Sequence, residues 1–280
     1  MSAALELALL KVAIAPAFIG IVSLVQFRLG EQKAGWLVAL PVNTGTIVAV
    51  LALTQGLAFA SSTAGGALGG VISLSAFVAG YAISARRLSW RPCLAVACAA
   101  FAGSTAILSG VTPTLAVGVV AAVAACFVVL PSIRVHQDSP PRGTPPRWEI
   151  PLRMLTAGCL VLGVTTVATT LGPRLSGLIA PVPVFTITLV AFTHSKHGVG
   201  PIFRFLRGLM SGMMSFAGFC AVTAVLVVPL GVALAELLGL VVFVALYPFT
   251  HWVVGRIAGS DPPVGSPGST PRRPWRAGGK

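Results

Sequence analysis

The stretch GWLVALPVNTGTIV, Gly35–Val48, lies inside an apolar segment long enough to cross a membrane, yet it places Pro41, Asn43, Thr44 and Gly45 close together. A proline inside a helix removes one backbone hydrogen bond, and its ring clashes with the preceding turn. In lipid, the freed carbonyl needs a polar partner or a water-lined cavity. We therefore predict a kinked span in which Asn43 and Thr44 either satisfy the backbone or bind a solute beside it.

Composition predicts the fold class. Hydrophobic residues make up 56% of the 280 residues and charged residues 9%, and the mean hydropathy is +0.93. A soluble domain has about 25% charged residues, so this chain is too poor in charge to cover a water-facing surface. Its apolar runs have the ~20 residues that a helix needs to cross the hydrocarbon core. We expect an all-α, polytopic helical membrane protein.

The apolar runs divide the chain into about nine predicted transmembrane helices. Their approximate bounds are 5–27, 36–54, 62–85, 91–109, 112–131, 151–171, 175–193, 203–228 and 231–255. The segment 133–149 is rich in proline and charge and is predicted to be a cytoplasmic linker. The tail 258–280 has the composition of a disordered segment.

The basic residues predict the orientation. The net charge is +13, and with nine spans almost all loop arginines and lysines fall on one side, whereas Arg174 is the loop cation of the other. Cytoplasmic loops carry such an excess. We predict a multi-pass protein of the bacterial inner membrane, with its N-terminus outside and its C-terminus inside. The basic residues form no aromatic-interleaved patch, so nucleic acid is not an expected partner.

An internal repeat links the two halves of the chain. At a constant offset of 142 residues, Pro41 matches Pro183, Thr44 matches Thr186, and a G-x-x-x-G pair recurs. The offset spans five helices, an odd number, so the second copy would be inverted relative to the first. We predict two inverted four-helix repeats, 1–110 and 150–257, joined by a linking transmembrane helix at 111–132. Inverted repeats are typical of secondary transporters, whose sites lie at broken helices.

The repeat suggests a substrate site between spans 2 and 7. The candidate lining residues are Pro41, Asn43, Thr44, Pro183, Thr186 and Thr188. The alternative is that both prolines make ordinary packing kinks with threonine hydroxyls bonded to the backbone.

Charged residues within spans are the second group of candidates. Glu236 lies inside span 9, where a carboxylate is costly and indicates function, unless it reaches water at the outer end. With Lys11 it forms the candidate ion-coupling pair. Lys11 and its repeat equivalent Arg153 either extend to the lipid headgroups or bind an anionic substrate at each mouth.

Small residues indicate close helix packing. Gly66 and Gly70 in span 3, and Gly208 and Gly212 in span 8, have the spacing that lets helix backbones approach in lipid. The five cysteines lie apart in apolar stretches, and His194 and His197 have no third ligand nearby, so we expect no metal and no cofactor. No nucleophile elbow, Walker loop or H-E-x-x-H motif is present, so we do not expect the protein to be an enzyme.

The second half, from about Leu152 to Phe249, resembles the GlpM-type family of small bacterial inner-membrane proteins, which have four spans. The resemblance rests on Gly177-Leu178-Ile179, on Pro181, Pro183 and Phe185-Thr186, and on the stretch 206–211, LRGLMS. The first half looks like a diverged copy, so the resemblance implies a fused tandem. The resemblance assigns no active-site residues to this chain.

Two functions remain open on the sequence. One is a small secondary transporter of a neutral or amphiphilic solute. The other is a non-transporting accessory subunit that scaffolds a cell-envelope biosynthesis complex, as a homo-oligomer or with an envelope-complex partner. Both make the lipid bilayer a partner.

Overall fold

The computed structural model describes residues 3–111, 113–133, 148–170 and 183–257, and for 3–15 and 164–170 it describes the backbone alone. All regular secondary structure in these ranges is helical, which confirms the predicted all-α class. The α-helices are α1 Ala3–Leu29, α2 Glu31–Val38, α3 Val42–Gln55, α4 Leu57–Ser84, α5 Trp90–Leu108, α6 Leu115–Val129, α7 Glu149–Thr170, α8 Val184–His197 and α9 Val199–Ile257, with a 3₁₀ turn Leu130–Ser132 after α6.

The second predicted span is broken at Pro41. Helix α2 ends at Val38, and α3 begins at Val42 with Pro41 as its N-cap residue. The first amides of a helix have no intrahelical partner, so a proline at this place removes no helical hydrogen bond. The Thr46 hydroxyl donates to the Val42 carbonyl at 2.7 Å. The proline therefore separates two helices rather than kinking one.

The corresponding part of the second half repeats the helix that follows the proline. Helix α8 starts directly after Pro183. Like α3 it is 14 residues long, and both of its bounds are displaced by 142 positions from those of α3. The Thr188 hydroxyl donates to the Val184 carbonyl at 2.9 Å, as Thr46 does to Val42. Each helix ends at a glycine with positive φ, Gly56 at 92° and Gly198 at 78°. This conformation is costly for any residue with a Cβ.

Helices α1 and α7, which are also equivalent in the repeat, pack against each other antiparallel. A Cβ on Gly158 would lie 3.3 Å from Pro16, and one on Gly20 would lie 3.1 Å from the Met154 sulfur. As the α1 number rises from 16 to 20, the α7 number falls from 158 to 154. Pro16 and Gly158 are themselves 142 positions apart. Equivalent residues of antiparallel helices meet in this way when a twofold axis perpendicular to the helices relates them.

Helix α9 is a hairpin of two antiparallel helices. Its 59 residues would extend to about 88 Å if straight, far more than a bilayer needs. Gly231 breaks the run with a φ of 78° and a ψ of 169°. The hydroxyls of Ser215 and Thr250 lie 3.2 Å apart, and Gly218 faces Leu246. The first half, 199–230, therefore packs along the second, 232–257.

Glycines allow α2 to lie directly on the first half of α9. A Cβ on Gly208 would overlap the Gln32 carbonyl oxygen, and one on Gly35 would overlap the Phe205 carbonyl oxygen. Gly212 packs on Ala39 and Trp36. By contrast, Gly66 and Gly70 have none of the described residues within 4 Å of a Cβ. The close contact therefore involves the glycine pair of the second half.

The outer surface of the helices is apolar. Leu53, Val128 and Ile107 have exposed fractions of 87%, 78% and 74%. Five segments are long and apolar enough to cross a membrane, namely Glu31–Gln55, Leu57–Ser84, Trp90–Leu108, Leu115–Ser132 and Val199–Ile257. These features are those of a helical protein embedded in a membrane. The predicted linker 133–149 and tail 258–280 lie almost entirely outside the described residues.

The α2–α9 contact predicts a selective effect of a single methyl group. Gly208→Ala should lower the free energy of unfolding by about 1–3 kcal/mol, because the new methyl must displace the backbone at Gln32. Gly66→Ala is the matched control and should leave stability unchanged or slightly raised. Thermal unfolding of both variants in detergent measures the difference. Equal stabilities would contradict the contact.

Candidate functional site

The predicted substrate-binding residues lie in two different surroundings. Thr186 and Thr188 are buried, whereas Asn43 is exposed and Thr44 half-buried. Pro41 is buried and Pro183 half-buried. Helix α3 packs on α4 and α9, whereas α8 packs on α7, α9, α5 and α1. In this conformation the structure does not bring the two sets of residues together.

Glu236 lies beside the break in the second span. Its Oε2 is 3.5 Å from the position of a Cβ on Gly45, in the first turns of α3. The second half of α9 runs antiparallel to α2 and α3, with the rings of Trp36 and Phe243 5.1 Å apart. Negative charge is favoured at a helix N-terminus, where the free amides carry partial positive charge. The carboxylate is thus held near the start of a half-helix.

One oxygen of this carboxylate has no hydrogen-bond partner among the described residues. The Oε1 atom of Glu236 is buried and makes no hydrogen bond with any described residue, although the side chain as a whole is half-buried. A buried carboxylate oxygen without a donor is costly, and a proton or cation would relieve that cost. The other member of the predicted ion-coupling pair, Lys11, belongs to α1, and its side chain lies outside the described part of the chain.

A buried polar cluster joins three helices at the end of the molecule where α1 ends and α7 begins. We call it the Arg153 cluster, and it consists of Gln26, Glu149, Arg153, Thr193 and His197. The Arg153 side chain is fully buried, and its Nη2 donates to Glu149 Oε1 at 2.6 Å. Its Nη1 donates to Gln26 Oε1 at 2.7 Å. The prediction that Arg153 extends to the headgroups is therefore wrong, because these partners hold it inside.

The cluster continues onto α8. The Gln26 amide donates to the Thr193 hydroxyl at 2.9 Å, and His197 Nε2 lies 3.3 Å from Glu149 Oε1. The rings of Phe27 and Phe192 flank the guanidinium, with centroids 5.1 and 5.7 Å away. A cation facing aromatic rings and paired with a carboxylate tolerates burial. The cluster thus ties α1, α7 and α8 together.

The cluster is not repeated at the opposite end. Its equivalents at the offset of 142 are Leu7, Lys11, Leu51, Gln55 and Ala168. This set has one charged residue and no carboxylate, so it cannot form the same ion pair. The equivalent positions of the other copy therefore cannot form this ion pair. Sequence reasoning missed it because Glu149 was assigned to the linker; its spacing of four residues from Arg153 at the start of a span was the available signal.

The two histidines of α8 have different partners. His194 Nδ1 is 2.6 Å from the buried Tyr81 hydroxyl, whereas His197 joins the Arg153 cluster. They therefore do not converge on one ion. Within the described ranges, no group of three histidine, cysteine, aspartate or glutamate side chains could hold a metal.

No family model, curated protein or solved structure matches the chain. The resemblance to the GlpM-type family accordingly stays a prediction from the sequence.

The Arg153 cluster predicts an asymmetric mutational effect. Arg153→Met should lower the free energy of unfolding by about 3–5 kcal/mol, because it leaves the Glu149 carboxylate buried without its main partner. The double variant Glu149→Gln with Arg153→Met should be more stable than Arg153→Met alone, since no unpaired charge remains. The measurement is thermal or denaturant unfolding in detergent micelles.

The control is Arg91→Met. Arg91 stacks on Trp90 at 5.2 Å and is exposed, so its loss should change stability by about 1 kcal/mol or less. If Arg91→Met and Arg153→Met destabilise the protein equally, the burial of the cluster is contradicted.

Proposed function

We propose that this protein is a small secondary transporter that crosses the membrane nine times and is built from two inverted four-helix repeats and a linking helix. The nine crossings are α1, α2 with α3, α4, α5, α6, α7, the span ending in α8, and the two halves of α9. The proposed solute is neutral or amphiphilic, because few charges lie within the spans. The proposed location is the bacterial inner membrane, with the N-terminus outside.

The observation that carries the proposal is the antiparallel contact of α1 with α7 at Pro16 and Gly158. Two copies with the same membrane orientation would place equivalent helices parallel, so antiparallel packing supports inversion. Inverted repeats allow one arrangement of helices to open toward either face by exchanging the conformations of the two copies. The matching bounds of α3 and α8 support the same relation.

The proposed coupling site is Glu236 at the break between α2 and α3. The packing of α8 on α5 is the repeat equivalent of the packing of α3 on the second half of α9. The residue equivalent to Glu236 is Leu94, so only one of the two positions can bind a proton or cation. A single carboxylate beside a half-helix fits a carrier that couples the solute to one ion.

The Arg153 cluster fits the role of an inner gate. It ties α8 to α1 and α7 at the end that the basic loops place in the cytoplasm. Its equivalents at the other end lack the ion pair, so the resting protein would be closed on the inside. Protonation of Glu236 and entry of a solute would then favour the alternative state.

The test is a flux measurement on purified protein in liposomes that contain a pH-sensitive dye. A panel of neutral polyols, sugars and single-chain lipids is first screened for thermal stabilisation, since a ligand that binds the folded state raises its stability. A stabilising compound should then drive proton movement. Glu236→Gln should reduce proton movement at least about tenfold while the protein remains folded, because the amide cannot exchange a proton.

Glu236→Asp is the control and should retain proton movement, since it keeps the carboxylate. If Glu236→Gln moves protons as fast as the unaltered protein, the coupling site is wrong. If no compound in the panel binds or drives proton movement, the carrier proposal is contradicted and an accessory subunit is favoured instead.

The alternative is an accessory subunit that scaffolds a cell-envelope complex. The observation that favours it is the exposed Gly66 on α4, where a Cβ would meet none of the described residues within 4 Å. Small residues of this kind accept a partner helix in lipid. Gly66→Leu should abolish a scaffold's association with its partner, scored by co-purification, and should leave a carrier's flux unchanged.

A further inference from the structure

A groove lies where α4 and α6 end together. The two helices run parallel, since Gly65 faces Leu115, Ser75 lies beside Cys126, and Arg86 bonds Ser132. Their final turns therefore reach the same end of the molecule. The groove between them has a volume of about 630 Å³ and is lined by Ile83, Arg86, Arg87, Val128, Pro131 and Ser132.

The polar half of the groove is cationic. Arg86 Nη2 donates to the Ser132 carbonyl at 3.0 Å, which fixes the guanidinium at the rim and leaves its other N–H groups available. Arg87 is exposed beside it. Among the described residues, no carboxylate lines the groove and neither arginine forms an ion pair. Two adjacent guanidinium groups are suited to the paired oxygens of a phosphate.

The other half of the groove is apolar and open. Ile83 and Val128 have exposed fractions of 65% and 78%, and they lie one turn toward the centre of the helices from the arginines. The groove thus has cationic side chains at the level where the helices end and apolar side chains one turn toward the centre of the helices. An inorganic phosphate ion would use only the first of these features, whereas a phospholipid would use both.

We propose that this groove binds an anionic phospholipid, with its phosphate between Arg86 and Arg87 and one acyl chain along Ile83 and Val128. Basic pockets between helices at the cytoplasmic side of a membrane are suited to anionic headgroups. The site is separate from Glu236 and from the Arg153 cluster, so it does not depend on the transport proposal.

The test is native mass spectrometry of the full-length protein titrated with phosphatidylglycerol, phosphatidylcholine or inorganic phosphate. Phosphatidylglycerol should bind most tightly. The double variant Arg86→Gln with Arg87→Gln should weaken that binding about 25-fold, at about fivefold for each arginine. Val128→Trp should also weaken phosphatidylglycerol binding while every charge remains, because the indole fills the apolar half of the groove. Val128 is exposed, so the position tolerates the larger side chain.

The matched control is Arg91→Gln, which removes a charge at the same end of the molecule but outside the groove. It should change the affinity by about twofold or less. An equal loss in Arg91→Gln would show general surface attraction and overturn the proposal. Equal binding of phosphatidylcholine would overturn it as well, as would inorganic phosphate that competes at the same concentration as the lipid.

Discussion

Helices α1 and α7 meet antiparallel at Pro16 and Gly158, two residues that occupy equivalent positions in the two halves of the chain. Gly158 has no side chain, so the proline ring can approach the helix backbone closely. This one contact is the main support for the proposed relation between the copies, because in each copy a 14-residue helix starts directly after the equivalent proline. If the first helices are antiparallel, every later pair of equivalents is inverted as well.

The proposed inversion relates the break at Pro41 to the helix start at Pro183. A half-helix that starts at Pro41 has free amides at its N-terminus within the membrane, and these need an acceptor. Glu236 provides a carboxylate nearby on one side of the pseudo-symmetry, and Leu94 stands in its place on the other. The residues of the Arg153 cluster likewise have no matching ion pair at their equivalent positions. In the proposed transport cycle, this asymmetry would favour one state at rest, and a bound ion would favour the other.

Much of the framework could be predicted from the sequence, because it depends on local signals. Proline and glycine act on the backbone wherever they stand, so Pro41 and Pro183 predict where the helical path changes, although the sequence predicted kinks where the structure has helix starts. The partners of Arg153 could not be predicted in this way. Gln26 and His197 reach it from helices that are distant in sequence, and only the packing of α1, α7 and α8 places them together. For the same reason the glycine spacing at Gly208 predicts a close contact but not that α2 makes it.

We propose that the two copies cross the membrane in opposite directions, and cysteine accessibility in intact cells distinguishes this arrangement from a parallel one. Gln55 and Ser195 are both exposed and lie in the last turns of the equivalent helices α3 and α8. Each is replaced singly by cysteine and treated with a maleimide that does not cross membranes, with the unaltered protein as the background. We expect Gln55→Cys to be labelled from outside, whereas Ser195→Cys should be labelled only after the membrane is permeabilised. Labelling of both from the same side would contradict it.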